Sequence, residues 1–239
     1  MKKILLIGCG HMGHALLNSM HDKKNAISVV DPKNFINLKK VFKNKKLNIY
    51  KSLNNINNFI KYDFIIFAVR PAELSSVFKE LNNFNINKNC IIISVIAGKK
   101  IDIFKNNIKK IKKVVRVMPN MPTIIGQGMN CMTPNNFITK KDKIETERLF
   151  KNSGISIWLS NEDEIDMATA VSGSGPGFVF NLVDAMITSS KNLGFSHDVS
   201  KILVYQTFKG SVDLLIQSKS EAYKFVQKVA TKGGTTEAG

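Results

Sequence analysis

The chain has 239 residues, is 44% hydrophobic and carries a formal net charge of +17. That length allows one large domain or two modest ones, and no apolar run approaches the ~18 residues a membrane-spanning helix needs. The charge resides almost wholly in lysines scattered among asparagines, as at 44–46 and 106–110, with only Arg70, Arg116 and Arg148 as arginines. This pattern describes a solvated surface that draws in anions and not a nucleic-acid site. Cys9, Cys90 and Cys131 are far apart, odd in number and without CxxC spacing, against a disulfide framework or a metal site. The N-terminal apolar segment is too short for a leader and runs straight into a glycine motif. It reads as a buried strand of a cytoplasmic protein.

Short apolar runs at 3–7, 27–30, 47–49, 64–69, 91–95 and 114–117 predict strands, and the segments 12–21, 33–42, 52–60 and 73–81 predict helices. Such alternation implies a parallel sheet covered on both faces. Runs at 129–132 and 155–159 bracket a helix over 140–152 and extend the sheet. After Trp158 the pattern changes. Helices are predicted over 166–171, 179–193, 197–218 and 220–229, with Gly194 as a C-cap and Ser196 as an N-cap. The apolar run within 178–183 is the sole strand candidate there. The expected organisation is a dinucleotide-binding domain over 1–160 and a helical domain over 161–239. The second has a thin core, and Phe178, Val179, Leu182, Met186, Leu203, Leu214 and Leu215 call for a partner surface, hence dimerisation.

Gly8-Cys9-Gly10-His11-Met12-Gly13 follows the first strand and opens a helix. In that context G-x-G-x-x-G is a dinucleotide fingerprint. Gly8 permits the tight turn, Gly10 the approach of a pyrophosphate and Gly13 close helix–strand packing. His11 and Met12 begin the helix whose N–H groups would receive the phosphates. Asp31 closes the second strand, where an acid typically takes the ribose 2′-hydroxyl. The expected cofactor is therefore NADPH or NADH with a lean to NADH, although Lys33, Asn34 and Lys39 stand ready for a phosphate. Ala68-Val69-Arg70-Pro71 makes a turn at the carboxyl end of the fourth predicted strand, and the segment holding Ala97 does so on the next. In 116–122 two prolines flank Asn120, whose amide could meet a nicotinamide, while Arg116 reads as a structural ion pair.

Residues 172–180 read Ser-Gly-Ser-Gly-Pro-Gly-Phe-Val-Phe within an otherwise helical pattern. Three glycines and a proline there disfavour continuous helix by roughly 1–3 kcal/mol each. The run predicts a break where something approaches the backbone closely, with Ser174 turned toward a substrate.

Taken in order, the segments 8–13, 68–71, 94–98, 116–122 and 172–180, then Gln206-Thr207 with Gly210, and the terminal Gly233-Gly234-Thr235-Thr236, resemble the pyrroline-5-carboxylate reductase family over the whole chain. The resemblance implies an α/β protein with an N-terminal Rossmann-type doubly wound sheet and a C-terminal all-helical dimerisation domain. It implies hydride transfer from NAD(P)H to the C=N carbon of 1-pyrroline-5-carboxylate, giving L-proline, in a homodimer or larger assembly whose site combines two subunits. By the same resemblance Thr236 approaches the ring nitrogen, Thr231, Gly234 and Thr235 receive the substrate carboxylate, and Asn55 contacts the cofactor. No Ser/His/Asp relay is required, since a protonated cyclic imine is already electrophilic. Thr231-Lys232 stands where the family has Ser-Pro, Arg70 where it has lysine, Met121 where it has threonine, and Gly177-Phe178 where it has Ala-Tyr. The family continues for about one more helix beyond residue 239, so that helix is expected to be missing. Two alternatives stay open: a non-catalytic nucleotide-binding paralogue, and a β-hydroxyacid dehydrogenase-like oxidoreductase. The second would need a lysine on the inter-domain helix, and 169–180 has none.

Overall fold

The computed structural model describes residues 1–21, 25–43, 47–108 and 110–238. Asn44-Lys45-Lys46 and Lys109 lie outside the described residues. Six strands, β1 (Lys2–Ile7), β2 (Asn25–Val30), β3 (Leu47–Tyr50), β4 (Phe64–Phe67), β5 (Ile91–Ser94) and β6 (Lys113–Met118), alternate with α1 (His11–Met20), α2 (Phe35–Val41), α3 (Leu74–Leu81) and α4 (Ile101–Asn107). β7 (Gly128–Pro134), α5 (Lys140–Phe150) and β8 (Gly154–Trp158) follow, and the eight strands form one sheet in the order β3-β2-β1-β4-β5-β6-β7-β8.

The strands are near-continuous apolar runs because both faces of the sheet are covered. Leu5, Ile7, Ile65, Phe67 and Ile92 point into one core beneath α3 and α4, with Phe78, Leu81 and Phe104. Ile4, Leu6, Phe64, Ile66, Ile91 and Ile93 point into the other, against α1, α2 and α5 through Leu16, Leu17, Leu38, Leu149 and Phe150. The period of two along each strand assigns each residue to one core or the other. The sheet is parallel from β3 to β6, but β7 runs antiparallel to β6, and β8 is parallel to β7. The reversal follows from a short connection: a 3₁₀ turn over Met121–Ile125 closed by Gly126 at φ 73°.

Between residues 52 and 60 the expected helix shrinks to a 3₁₀ turn, Leu53–Asn55. Ser52 Oγ accepts from Asn54 N, Asn55 Oδ1 from Ser52 N and Asn58 Oδ1 from Ile60 N. These short polar side chains take backbone N–H groups that a helix would need. The run within 178–183 lies in helix, not strand: α6 (Glu162–Ala168) passes through one π-helical turn, Thr169–Gly173, and α7 (Gly175–Asn192) begins at the second glycine of the run.

The chain divides into two compact units, Met1–Pro176 and Gly177–Gly239. The second holds most of α7, then α8 (His197–Ser218), α9 (Ala222–Val229) and the single turn α10 (Thr235–Ala238). Gly194 takes φ 101° just after α7, and Ser196 Oγ accepts from Val199 N at the start of α8. Along α8 only Ser200 and Val204 are buried, and α9 buries nothing. Among the described residues no helix is long and apolar enough to cross a membrane.

Candidate active site

The glycine fingerprint is built as its spacing requires. Gly8 has φ 89°, and a Cβ there would lie 2.7 Å from Ala68 O and 2.8 Å from Val69 Cγ1. A Cβ on Gly13 would lie 2.5 Å from Gly8 O, so α1 and β1 meet at a distance only glycine permits. Gly10, the N-cap of α1, would meet nothing within 4 Å. No side chain caps this helix and no acid occupies its first turn. The leading N–H groups of this ten-residue helix are thus uncapped by any side chain, beside a residue whose Cβ position is open, a place suited to a phosphate.

The strand ends around this turn enclose a cleft of about 540 Å³. Its lining comes from the carboxyl ends of β1 and β2, the turns after β1, β2 and β4, and α3 through Ser76, Val77 and Glu80, with Lys51, Ser52 and Leu53 following β3. Gly8, Gly10, Asp31, Ala68, Val69 and Arg70 all line it. This is the crevice where doubly wound sheets bind their ligands.

Asp31 is 6% exposed. Its Oδ2 accepts from Cys9 N at 2.7 Å and Asn34 Nδ2 at 3.1 Å, and its Oδ1 from Lys33 N at 2.9 Å and Asn34 N at 2.7 Å. The carboxylate thus ties the end of β2 to the glycine turn and caps the approach to α2. Burial, reinforced by the Asp31 charge, pushes the Cys9 thiol up to about 12, so Cys9 is a packing residue within the loop and no nucleophile. On the rim, Lys33 Nζ meets Glu73 Oε1 at 2.6 Å, and Glu73 Oε2 accepts from Arg70 N at 3.3 Å.

Further along the sheet, Arg116 is buried on β6 and pairs with Glu162 at 3.3 Å and Asp166 at 2.6 Å on α6. Glu162 Oε1 also accepts from Ile101 N at 2.9 Å. Arg116 is the structural ion pair its strand position implied, and it anchors α6. Asn120 departs from expectation. Its Oδ1 accepts from Met129 N at 2.8 Å and its Nδ2 donates to Ser172 O at 2.9 Å. The amide therefore faces inward, bracing the π turn against β7 instead of presenting both its groups to a ligand. Ser174 N donates to Thr169 O at 2.9 Å, which closes the widened turn. A Cβ on Gly173 would lie 3.2 Å from Thr169 Cγ2 and 3.3 Å from Met118 Cε, while Gly175 and Gly177 meet nothing within 4 Å. Of the three glycines, Gly173 alone serves a close approach of described atoms.

In the second unit the loop before α10 folds on itself. Gly234 N donates to Thr231 O at 2.9 Å, and a Cβ on Gly234 would lie 2.9 Å from both Thr231 O and Thr231 Oγ1. Gly233, at φ 76°, donates its N–H to Glu237 Oε2 at 2.6 Å. Thr231, Thr235 and Thr236 are exposed.

The family described as pyrroline-5-carboxylate reductase dimerisation matches residues 162–239. The one described as NADP oxidoreductase, coenzyme F420-dependent, matches residues 3–98. Pyrroline-5-carboxylate reductase 2 of Bacillus subtilis is 29% identical over 100% of this chain and 86% of its own length. The pyrroline-5-carboxylate reductase of Aquifex aeolicus is 32% identical over 74% of this chain and 65% of its own length. The crystal structure of the Plasmodium falciparum pyrroline carboxylate reductase with NADP bound matches with a TM-score of 0.84 at 27% identity, covering 100% of this chain and 88% of that one. The Coxiella burnetii pyrroline-5-carboxylate reductase matches with a TM-score of 0.86 at 26% identity, covering 98% and 87%.

The chain belongs to the pyrroline-5-carboxylate reductase family.

Seen as a member of that family, the chain gathers part of its predicted cofactor set into one cleft and leaves the rest outside the lining. His11, Met12 and Gly13 belong to α1 beside the cleft, and Pro71 opens the 3₁₀ turn after Arg70. Ala97 is exposed in the turn after β5. Asn55 does not line the cleft; its side chain caps its own 3₁₀ turn, and Ser52 and Leu53 take the lining position. The Gly234 N–H expected for a reductase's substrate carboxylate already has Thr231 O as acceptor. Sequence reasoning missed Lys51, Ser52, Glu73, Ser76 and Val77. A signal was present for the first two, since they follow a parallel strand next to the acid-bearing one.

Proposed function

We propose that this chain reduces 1-pyrroline-5-carboxylate to L-proline with NAD(P)H. The observation that carries the reading is the uncapped N-terminus of α1 beside Gly10, where a side chain is absent and a Cβ would meet nothing within 4 Å. It opens on a cleft at the carboxyl ends of β1, β2 and β4. The named activity of the relatives supplies the substrate.

The reduced nicotinamide, when bound, supplies the hydride for the C=N carbon. The chain's part is binding and orientation. Gly10 and the first N–H groups of α1 would hold the pyrophosphate, Gly8 and Gly13 keep helix and strand close, and Ala68, Val69, Arg70, Pro71 and Ala97 would contact the dinucleotide from the turns after β4 and β5. Thr231, Thr235 and Thr236 receive the substrate, with the Thr236 hydroxyl at the ring nitrogen and Thr231 at the carboxylate. Ser174 faces the substrate, and Asn120 positions the π turn that carries it. The iminium nitrogen becomes the amine of proline as the hydride arrives, so no enzyme group changes its protonation state in that step.

The unit Gly177–Gly239 self-associates as a homodimer or larger assembly. Exposed Phe178, Leu182, Leu203 and Leu214 support this, as does the dimerisation family matched from residue 162. That start also supports a functional boundary near residue 160. The protein is cytoplasmic in this reading, with its three thiols buried and free.

The deciding assay is steady-state oxidation of NADPH and NADH driven by 1-pyrroline-5-carboxylate, on the native chain and on Thr236→Ala. Turnover reduced at least about tenfold in the variant is expected for a lost transition-state contact. Full kcat/KM in Thr236→Ala would remove that residue from the site. Saturable cofactor binding without any turnover would favour a non-catalytic paralogue.

A further inference from the structure

Asp31 occupies the position from which an acid ordinarily accepts the ribose 2′-hydroxyl and repels a 2′-phosphate. A carboxylate has about four acceptor positions. Here four donors take them: Cys9 N, Asn34 Nδ2, Lys33 N and Asn34 N. Asp31 is therefore spent on holding the turn. Its capacity to accept a ribose hydroxyl is used, which leaves room for the charged groups on the cleft rim to contribute to discrimination between the two dinucleotides.

Two of those groups already face each other. Lys33, in the turn after β2, and Glu73, in the turn after β4, both line the cleft and meet at 2.6 Å. Glu73 is fixed from its other oxygen by Arg70 N at 3.3 Å. The hydrogen bond from Lys33 leads the groups that hold the Glu73 carboxyl below the usual carboxylate range, outweighing the opposing effect of burial. The pair is solvent-facing, with side-chain exposures of 70% for Lys33 and 37% for Glu73. An exposed pair of this kind exchanges readily for a better anion. A phosphate monoester has more charge and more acceptor oxygens than a carboxylate.

We propose that Glu73 is a selectivity residue: its carboxylate occupies Lys33, and a 2′-phosphate on the adenosine ribose must take Lys33 from it. Glu73 thereby tempers the preference for NADPH over NADH. This rests on the dinucleotide reading of the cleft and assigns it a specificity determinant. NADH, with a neutral hydroxyl at that position, neither gains from Lys33 nor competes with Glu73.

The test is the Kd of NADPH and of NADH, measured by nicotinamide fluorescence at one fixed ionic strength, for the full chain and three variants. Glu73→Gln keeps an acceptor for Arg70 N and removes the charge. It is expected to tighten NADPH about fivefold and leave NADH within about twofold, the scale of an exposed charge pair. Lys33→Gln is expected to weaken NADPH about tenfold with NADH unmoved, and the double variant to lose the gain of Glu73→Gln. Equal shifts for both cofactors in Glu73→Gln, or unchanged NADPH binding in Lys33→Gln, would overturn the proposal. Binding of both cofactors without turnover of 1-pyrroline-5-carboxylate would overturn the proposed reaction and leave this ratio to decide the role of Glu73. Binding of neither would overturn both.

Discussion

The two compact units spend similar apolar side chains in opposite ways. In Met1–Pro176 the sheet has helices on both faces, and Phe67 is 0% exposed, with Phe104 edge-on to it and Phe78 tilted against it. In Gly177–Gly239 α7 and α8 are longer than any helix of the first unit, yet Phe178 is 69% exposed and Leu182 53%. A sheet offers two broad faces, and each strand residue finds a cover on one of them. Three helices and one turn enclose little volume, so their apolar faces stay outside the single chain. The first unit can stabilise a cofactor crevice from within, whereas the second leaves apolar side chains that the proposed self-association would cover.

The largest expected effect lies in the first unit. Phe67→Ala should destabilise it by about 3–5 kcal/mol, the usual cost of a large cavity. The urea midpoint that reports this unit should not depend on protein concentration. A loss under about 1 kcal/mol would break the contrast from the side of the first unit.

Leu182→Asp tests the other side. The residue is half-exposed in one chain, so its local cost is small, but a charge buried between two copies has no partner. Sedimentation velocity should show the assembly weakened about 100-fold, equivalent to about 2.7 kcal/mol. An assembly that survives intact would show that this face is not where copies meet.

Asn120→Ala leaves Met129 N and Ser172 O without their partners. It should cost about 1–3 kcal/mol. If the π turn supports the substrate, kcat/KM for 1-pyrroline-5-carboxylate should fall more than cofactor affinity does. A parallel fall in both would reduce Asn120 to a packing role.

The smallest effect is the pH dependence of Asp142. Burial opposes its charge, but Lys113 at 2.9 Å and the bonds from Thr139 outweigh this and hold its carboxyl below the usual range. A depressed native pKa gives stability that is present above the unfolded value, about 4, and is lost as pH falls through the native one. Asp142→Asn should therefore cost about 1 kcal/mol at neutral pH, mainly through the weakened N-terminal cap of α5 and the lost Lys113 pairing. The difference from the native chain should vanish in acid. A gap that persists at pH 2 would mean that packing, not charge, is lost.

Much of this was legible in the residues themselves. The fingerprint at 8–13 fixed its own turn because a Cβ at Gly8 or Gly13 would collide with named backbone atoms, while Gly10 leaves open space. The alternation of strands and helices followed from apolar period and length. Three points were beyond reach. The segment 52–60 has the apolar spacing of a helix, but its asparagines and Ser52 bind their own backbone. Asn120 lies between two prolines as a ligand-facing residue might, and only its distance to Ser172 reveals a brace. Asp31 stands where an NADH-selecting acid belongs, and nothing in the chain order tells how many donors surround it.

The sequence by itself determined the fold class, the dinucleotide turn and the family, because these depend on local sterics and on periodicities that survive in one dimension. Tertiary structure alone decided which polar groups are still available for a ligand. Hydrogen-bond capacity is a property of neighbours distant in the chain: Cys9 beside Asp31, Glu73 beside Lys33, Ser172 beside Asn120. A residue type names what a group is able to bind, and its neighbours decide whether that capacity has already been used.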